Sequence, residues 1–181
     1  GVLTEVLNSE ERFGNILILE DDVCFNTSSL VEVNYLMEHL PPDWDQVYLG
    51  GQHDEKPEST DNPLILRANS VHRLHAYGLN EKVFNKFYAH INNAPDFVSG
   101  EETHVDHHIQ GAHEEKKWNV YCPLKWVAGQ DFGESDIGFE TTPEGVYRKE
   151  EQPRRYWYIL DGEFAAADAD NYFMGDKAPL L

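Results

Sequence analysis

The chain is poor in cysteine and in basic residues, and it lacks any long apolar run. Its 181 residues contain 2 cysteines, Cys24 and Cys122, so a disulfide scaffold is excluded and buried free thiols are expected. Lys and Arg number 14 against 33 Asp and Glu, a formal net charge of -19, which argues against nucleic acid or an anionic membrane surface as a partner. No apolar stretch is long enough to span a bilayer, so no membrane-spanning segment is predicted.

Three glycine-containing signatures of common enzyme classes are also missing. The sequence has no Gly-x-x-x-x-Gly-Lys-Ser/Thr loop and no Gly-x-Gly-x-x-Gly opening a helix, so P-loop and dinucleotide-binding functions have no support. It has no Gly-x-Ser-x-Gly turn, which weakens the case for a hydrolase with a serine nucleophile.

The composition is nevertheless that of a folded protein. Hydrophobic residues make up 40% of the chain and aromatic residues 12%, enough for a sizeable core at this length. Residues 1–138 are expected to form one α/β domain, and residues 139–181, which have no steady period, an extension of unknown structure. A helical pattern begins almost directly after Gly1, which suggests an excised or processed fragment whose upstream part is missing.

The first half of the domain alternates between helix and strand patterns. A short helix is predicted over residues 3–11, a strand buried on both faces over Ile16–Leu19, a helix from Ser29 to Leu40, and a strand from Gln46 to Leu49 that ends at Gly50-Gly51. Ser29-x-x-Glu32 reads as a capping box, and Pro41-Pro42 stops the helix. This order favours parallel pairing and an α/β sheet. One apolar, core-facing stripe of the second helix comprises Leu30, Val33, Leu36, Met37 and Leu40.

The second half continues with shorter segments of both kinds. Strands are predicted over residues 64–67, 74–79 and 118–122. Asn80 caps a helix, and residues 105–112 form another.

Three consecutive carboxylates, Glu20, Asp21 and Asp22, directly follow the first apolar strand. In open α/β sheets, ligands bind beyond the carboxyl ends of the strands, which is where these acids lie. If the backbone stays extended, Glu20 and Asp22 point the same way and Asp21 the other. Carboxylates that converge in a partly buried crevice resist ionisation unless a cation such as Mg²⁺ or Mn²⁺ neutralises them. A solvated acidic turn is the alternative.

A group of histidines surrounds Asp106. His104 and His108 have the i, i+4 spacing that zinc sites on helices use, although Val105 stands where a metalloprotease motif has Glu. Solvated histidines on an acidic surface are the alternative. One of these histidines completing the Mn²⁺ shell is a further possibility. The full group is His104, His107, His108 and His113.

Taken together, several short segments in order make the chain resemble glycosyltransferase family 25, the group of lipopolysaccharide and collagen galactosyltransferases. The resemblance covers residues 14–137, about two thirds of the chain, and the Glu-Asp-Asp after an apolar strand is its most specific part. The matching segments are Ile16-Leu-Ile-Leu-Glu-Asp-Asp-Val23, Trp44-Asp-Gln-Val-Tyr-Leu-Gly-Gly51, His75-Ala-Tyr-Gly-Leu79, Val105-Asp106, and Pro123 with Gln130 and Ser135-Asp-Ile137.

The resemblance implies a GT-A-like (Rossmann-like), mostly parallel sheet flanked by helices that lacks its first strand-helix unit. In the family that unit helps to hold the nucleotide base, so the resemblance implies either that this chain is a fragment or that its nucleotide binding is incomplete. It also implies inverting transfer of a hexose, galactose or glucose, from a UDP-sugar to a saccharide or protein-linked acceptor. Asp22 would hold Mn²⁺ (or Mg²⁺) on the diphosphate, and Glu20 would act through a water or the donor ribose.

Further roles follow for the residues around this donor site. Asp21 would support the metal, and Gly50-Gly51 would let the backbone approach the ligand, unless they simply form a turn. An inverting transfer needs a general base, and Asp106 is the candidate, with Glu101 and Glu102 as rivals. By the same resemblance, the segment that begins at His75 would lie near the donor or the acceptor, unless its apolar side chains are core. Trp126 and Gln130 could face a sugar, although burial is the simpler expectation.

Two other functions remain open at this point. One is a metal-dependent hydrolase that uses the acidic triplet with His104 and His108. The other is a non-catalytic carbohydrate-binding domain that needs neither Mn²⁺ nor nucleotide. The compartment would be cytoplasmic for a bacterial or viral relative of the family and the secretory-pathway lumen for an animal one.

Overall fold

A mixed six-stranded sheet flanked by helices forms the centre of an α/β fold. The computed structural model describes residues 2–25, 28–53, 55–94, 104–130, 139–142, 145–148, 159–160 and 163–164. The helices of this part are α1 (Val2–Asn8), α2 (Ser29–His39), α3 (Phe84–Asn92, after a 3-10 turn over Glu81–Val83) and α4 (Val105–Glu114). Its first strands are β1 (Asn15–Leu19), β2 (Val23–Phe25), β3 (Gln46–His53), β4 (Glu58–Ser59), β5 (Ile65–Arg67), β6 (Val71–Asn80), β7 (Val120–Pro123) and β8 (Ala128–Gln130).

The strand order of the central sheet is β1-β6-β3-β7-β5-β4. Only the β3–β7 pair is parallel; β6 runs antiparallel to both of its neighbours, and β5 is antiparallel to β7 and to β4. The α/β class and the flanking helices are therefore confirmed, but the prediction of a mostly parallel sheet is wrong. The physical reason is β6: it lies between β1 and β3, so these two strands point the same way without pairing with each other.

Strand β1 is half exposed, which corrects the prediction of a strand buried on both faces. It lies at one end of the strand order, where its partner in the sheet is β6. Ile16 and Ile18 pack against the core, whereas Leu17 and Leu19 are 51% and 43% exposed. A short apolar run does not distinguish a central strand from an edge strand, because an edge strand with apolar residues on its exposed face has the same sequence pattern.

Helix α2 has nearly the predicted bounds but a different cap and a narrower buried face. Its N-cap is Ser28, whose Oγ donates to Glu32 Oε1 at 3.1 Å. Ser29 is buried instead and its Oγ donates to the Val127 carbonyl oxygen at 2.6 Å, so the predicted Ser29 capping box is wrong. Of the predicted stripe, Leu36 is buried and Val33 and Leu40 partly so, but Leu30 and Met37 are exposed.

The core consists of two clusters on opposite faces of the sheet. Alternation along β3 places Tyr48 in one cluster and Val47 and Leu49 in the other. The first cluster receives side chains from α1, α3 and α4, including Phe87 and Ile109, and the second receives Leu36 from α2. Helix α4 is therefore packed onto the sheet beside β6.

Four short strands lie in the predicted C-terminal extension. β9 (Phe139–Thr142) pairs antiparallel with β10 (Gly145–Arg148), and β11 (Ile159–Leu160) with β12 (Glu163–Phe164). The boundary at residue 138 stays a prediction. None of the helices in the described part of the chain combines the length and apolar character that a membrane crossing needs. Cys122 is a buried free thiol, as predicted, whereas Cys24 is only partly buried, so the prediction of burial is wrong for Cys24.

Candidate functional site

The three acidic residues form a turn between β1 and β2, which we call the acid loop (Glu20–Asp22). The Glu20 amide donates to the His75 carbonyl oxygen at 2.9 Å, and the Val23 amide donates to the Glu20 carbonyl oxygen at 3.3 Å. Because the backbone turns here, the alternation expected of an extended chain does not apply. Asp22 is partly buried and Asp21 is exposed.

Opposite the acid loop, the pairing of β6 with β3 is irregular. Gly50 pairs with Ala76 and Gln52 with His72, so the register shifts between these pairs. Arg73, within this stretch, has a φ of 75°, a left-handed conformation that non-glycine residues seldom adopt. Such bulges redirect side chains, and they occur often beside functional sites. We call residues His72–His75 the β6 bulge.

The electrostatics link the acid loop to the β6 bulge and to the start of α4. Partial burial of the carboxyl raises the pKa of Glu20, a residue that is exposed overall, and the charges of Asp22 and then Asp106 raise it further, while the Arg73 guanidinium opposes them. A carboxylate on α4 and a guanidinium on β6 therefore act on the same acidic side chain. The structure thus brings Glu20, Asp22 and Asp106 into one neighbourhood.

At the start of α4, two imidazoles and a carboxylate lie together: His72, Asp106 and His107, here called the His-Asp-His cluster. One possible ligand atom from each lies within 4.8 Å of the others. His72 Nδ1 is 4.0 Å from Asp106 Oδ2, and the His72 and His107 rings meet edge to face with centroids 4.4 Å apart. In the part of the chain that the structure describes, this is the one such group of three or more residues.

His104 and His108, which were predicted to form a metal-binding pair on one face of a helix, have different ring contacts in the structure. The His108 ring stacks on His90 of α3 at 4.1 Å between centroids, and each Nε2 lies 3.0 Å from the backbone carbonyl oxygen of the other residue. His108 therefore joins α3 to α4. His104 is the N-cap residue of α4, and its ring centroid is 5.8 Å from that of His107.

Buried tyrosine and histidine side chains lie behind the site. Burial raises the pKa of Tyr77, and the charge of Glu20 adds to this; burial likewise raises the pKa of Tyr48, with a contribution from Asp106. Burial lowers the pKa of His75 to about 4. The side chains of Tyr48, Tyr77 and His75 are therefore neutral near pH 7, and the charge of the site comes from its carboxylates and from Arg73.

The glycines Gly50 and Gly51 lie inside β3, because the strand continues to His53 beyond its predicted end. A Cβ on Gly50 would overlap the Ala128 carbonyl oxygen and the His75 ring, and one on Gly51 would lie 2.7 Å from Val71 Cγ1. Packing within the protein thus accounts for both glycines, and their contact with a ligand stays a prediction.

Other predicted site residues have varied outcomes. Trp126 is buried, which is the simpler of the two expectations for this residue, and its ring stacks on that of His53 with centroids 4.7 Å apart. Gln130 lies in β8, while Glu101, Glu102 and the segment 135–137 fall outside the described residues. Sequence reasoning missed His72 and Arg73 as site residues, although these two consecutive polar residues stand between the apolar Val71 and Leu74 and were therefore a signal.

Comparison with known proteins adds no further assignment. No protein-family model matches the chain. No curated protein matches it either.

Proposed function

We propose that this chain is a metal-dependent, inverting glycosyltransferase domain that moves a hexose from a UDP-sugar to a saccharide or protein-linked acceptor. The observation that supports it is the electrostatic coupling of Glu20, directly beyond the carboxyl end of β1, to Asp22, Asp106 and Arg73. A transfer of this kind needs a cation site for the diphosphate and a base for the acceptor hydroxyl, and both types of group are present. The GT-A fold itself is part of this proposal.

The acid loop would offer carboxylate oxygens to a divalent cation. Partial burial and the charges of three carboxylates, Asp22, Asp106 and Asp21, raise the pKa of Glu20, which means that negative charge is crowded there and that a cation would relieve it. Asp22 would hold Mn²⁺ or Mg²⁺ directly, with Glu20 acting through a water or the donor ribose and Asp21 in support. Diphosphate oxygens would complete the shell, as is usual for such ions. When bound, the ion would neutralise charge on the leaving diphosphate.

The two remaining groups have complementary roles. The charge of the Arg73 guanidinium acts on Glu20 of the acid loop, and this guanidinium would bind diphosphate oxygens as a fixed positive charge. Asp106 would take the proton of the acceptor hydroxyl as that oxygen attacks the anomeric carbon. Its Oδ1 accepts from the His107 amide at 3.0 Å, which orients the carboxylate at the start of α4.

Calorimetric titration with UDP, with and without Mn²⁺, tests the donor site. We expect binding that requires Mn²⁺ and that Asp22→Asn weakens at least about tenfold, since removal of groups that support a bound metal already costs this much. Asp61→Asn, at an exposed carboxylate outside the site, is the matched control and should bind like the wild type.

Transfer assays with Asp106→Asn then test the base. This variant should bind UDP normally and lose transfer by about 100-fold or more, the usual contribution of a general base. A folded chain that does not bind UDP, or binds it equally well after Asp22→Asn, would overturn the proposal. Saccharide binding without Mn²⁺ or nucleotide would instead favour the non-catalytic carbohydrate-binding domain.

A further inference from the structure

The His-Asp-His cluster has the composition and the geometry of a second metal site. We propose that His72, Asp106 and His107 bind one divalent transition-metal ion of the zinc, cobalt and nickel class. This site is distinct from the acid loop, which offers carboxylate oxygens to a harder ion.

The distances are close to those that such an ion needs. Ligands about 2.0–2.2 Å from a tetrahedral ion lie about 3.3–3.6 Å from one another. The ligand atoms of the cluster are all within 4.8 Å, with 4.0 Å between His72 Nδ1 and Asp106 Oδ2. The three atoms would therefore have to move somewhat closer together when an ion binds.

The elements that carry the cluster are firmly placed. His72 belongs to β6, which has a partner strand on each side. Asp106 and His107 lie in the first turn of α4, which buries Ile109 and Ala112 in the core. The stacked pair of His90 and His108 also joins α4 to α3, so the ligands approach one another from two fixed elements.

The chemistry selects the class of ion. Two imidazole nitrogens and one carboxylate oxygen suit zinc and its neighbours, whereas Mg²⁺ and Ca²⁺ prefer oxygen ligands alone. Three protein ligands leave a fourth position for water or for a ligand. The nearby charges of Glu20 and Asp22, in a chain with a formal net charge of -19, further favour a cation.

A consequence for catalysis rests on the proposed function. A metal ion bound to the Asp106 carboxylate would occupy the lone pair through which this general base accepts the proton of the acceptor hydroxyl. Zn²⁺ should therefore inhibit sugar transfer at saturating Mn²⁺, and His72→Asn should raise the Zn²⁺ concentration required for half inhibition.

The direct test is independent of activity and uses the full chain. Titration with Co²⁺, followed by its visible absorption, and with Zn²⁺, followed by calorimetry, should show one site in the wild type. His72→Asn and His107→Asn should each weaken binding at least about tenfold. His39→Asn is the matched control, because His39 lies on α2 and stacks on Tyr35, and it should bind like the wild type.

Two further readouts keep the outcomes separate. Thermal melting of the metal-free variants checks that they fold; if His107→Asn does not, His72→Asn decides alone. Asp22→Asn should keep the Zn²⁺ site while losing Mn²⁺-dependent UDP binding, so failure of the proposed function leaves this inference standing. Zn²⁺ and Co²⁺ affinities unchanged by His72→Asn, or weakened as much by His39→Asn, would overturn it.

Discussion

Acid should destabilise the fold through His113, a buried histidine on α4. Its ring is 3% exposed, and its Nε2 lies 3.0 Å from Gln46 Oε1. The same oxygen accepts the indole N–H of Trp118 at 2.6 Å, so it is an acceptor and His113 Nε2 donates to it. Nδ1 is then the site of protonation, and within the described residues it has no hydrogen-bond partner. Adding a proton would bury an uncompensated charge.

The size of the effect follows from the pKa of His113. Burial lowers it from 6.5 to about 3, with smaller contributions from the charges of His90 and His72. Below pH 6.5 the unfolded chain therefore binds a proton at His113 that the folded chain does not bind. The contribution of neutral His113 to the unfolding free energy is complete above pH 6.5 and falls as the pH drops toward 3. Between pH 7 and pH 5 the loss is about 2 kcal/mol, at 1.36 kcal/mol per unit.

Urea unfolding of the wild type and of His113→Gln at several pH values measures this loss. Glutamine does not titrate, so the difference in unfolding free energy between the two proteins should move by about 2 kcal/mol in favour of the variant from pH 7 to pH 5. Titration of His75, also buried, is common to both proteins and cancels. His39→Gln, at an exposed histidine, should show no such change. A difference for His113→Gln that stays constant with pH would refute the reasoning.

Two predictions concern packing. Gly50→Ala should lower the unfolding free energy by about 3 kcal/mol, because the new methyl group overlaps the Ala128 carbonyl oxygen. Gly14→Ala should change the unfolding free energy by less than about 0.5 kcal/mol, because the space around its Cβ position is open. Leu36→Ala should cost about 3 kcal/mol and Leu30→Ala less than about 0.5 kcal/mol, since only Leu36 is buried. Urea unfolding monitored by tryptophan fluorescence checks all four, and equal losses within either pair would contradict the packing described.

Local structure was largely predictable from the sequence. Helix α4 begins at Val105 as predicted and extends two residues beyond Ala112, and β1 begins at Asn15, one residue before the predicted Ile16. Capping, proline and apolar period act over a few residues, so the sequence carries these signals locally. The pairing partner of β1 is different, because it lies far away in the sequence at residues 76–80. Helix-strand alternation is compatible with either a parallel or an antiparallel neighbour.

The candidate site was predictable only in part for the same reason. The acid loop stands out because its three carboxylates are contiguous, and Asp106 was selected by resemblance. Arg73 owes its position to a left-handed backbone conformation within a register shift, which no local pattern signals. His72 and His107 meet only because α4 packs beside β6, so their proximity is a property of tertiary structure.

The position of β6 between β1 and β3 has a consequence for folding kinetics. Its two ladders join residues 71–80 to residues 46–53 on one side and to residues 15–19 on the other. Both ladders require the chain between their strands to close into a loop, and the β1 ladder closes the longer loop. Loop closure lowers the conformational entropy of the chain before the strand contacts form. The acid loop meets the β6 bulge only when β1 has docked. We therefore expect the acid loop and the β6 bulge of a refolding chain to come together late, after β3 has paired with β6.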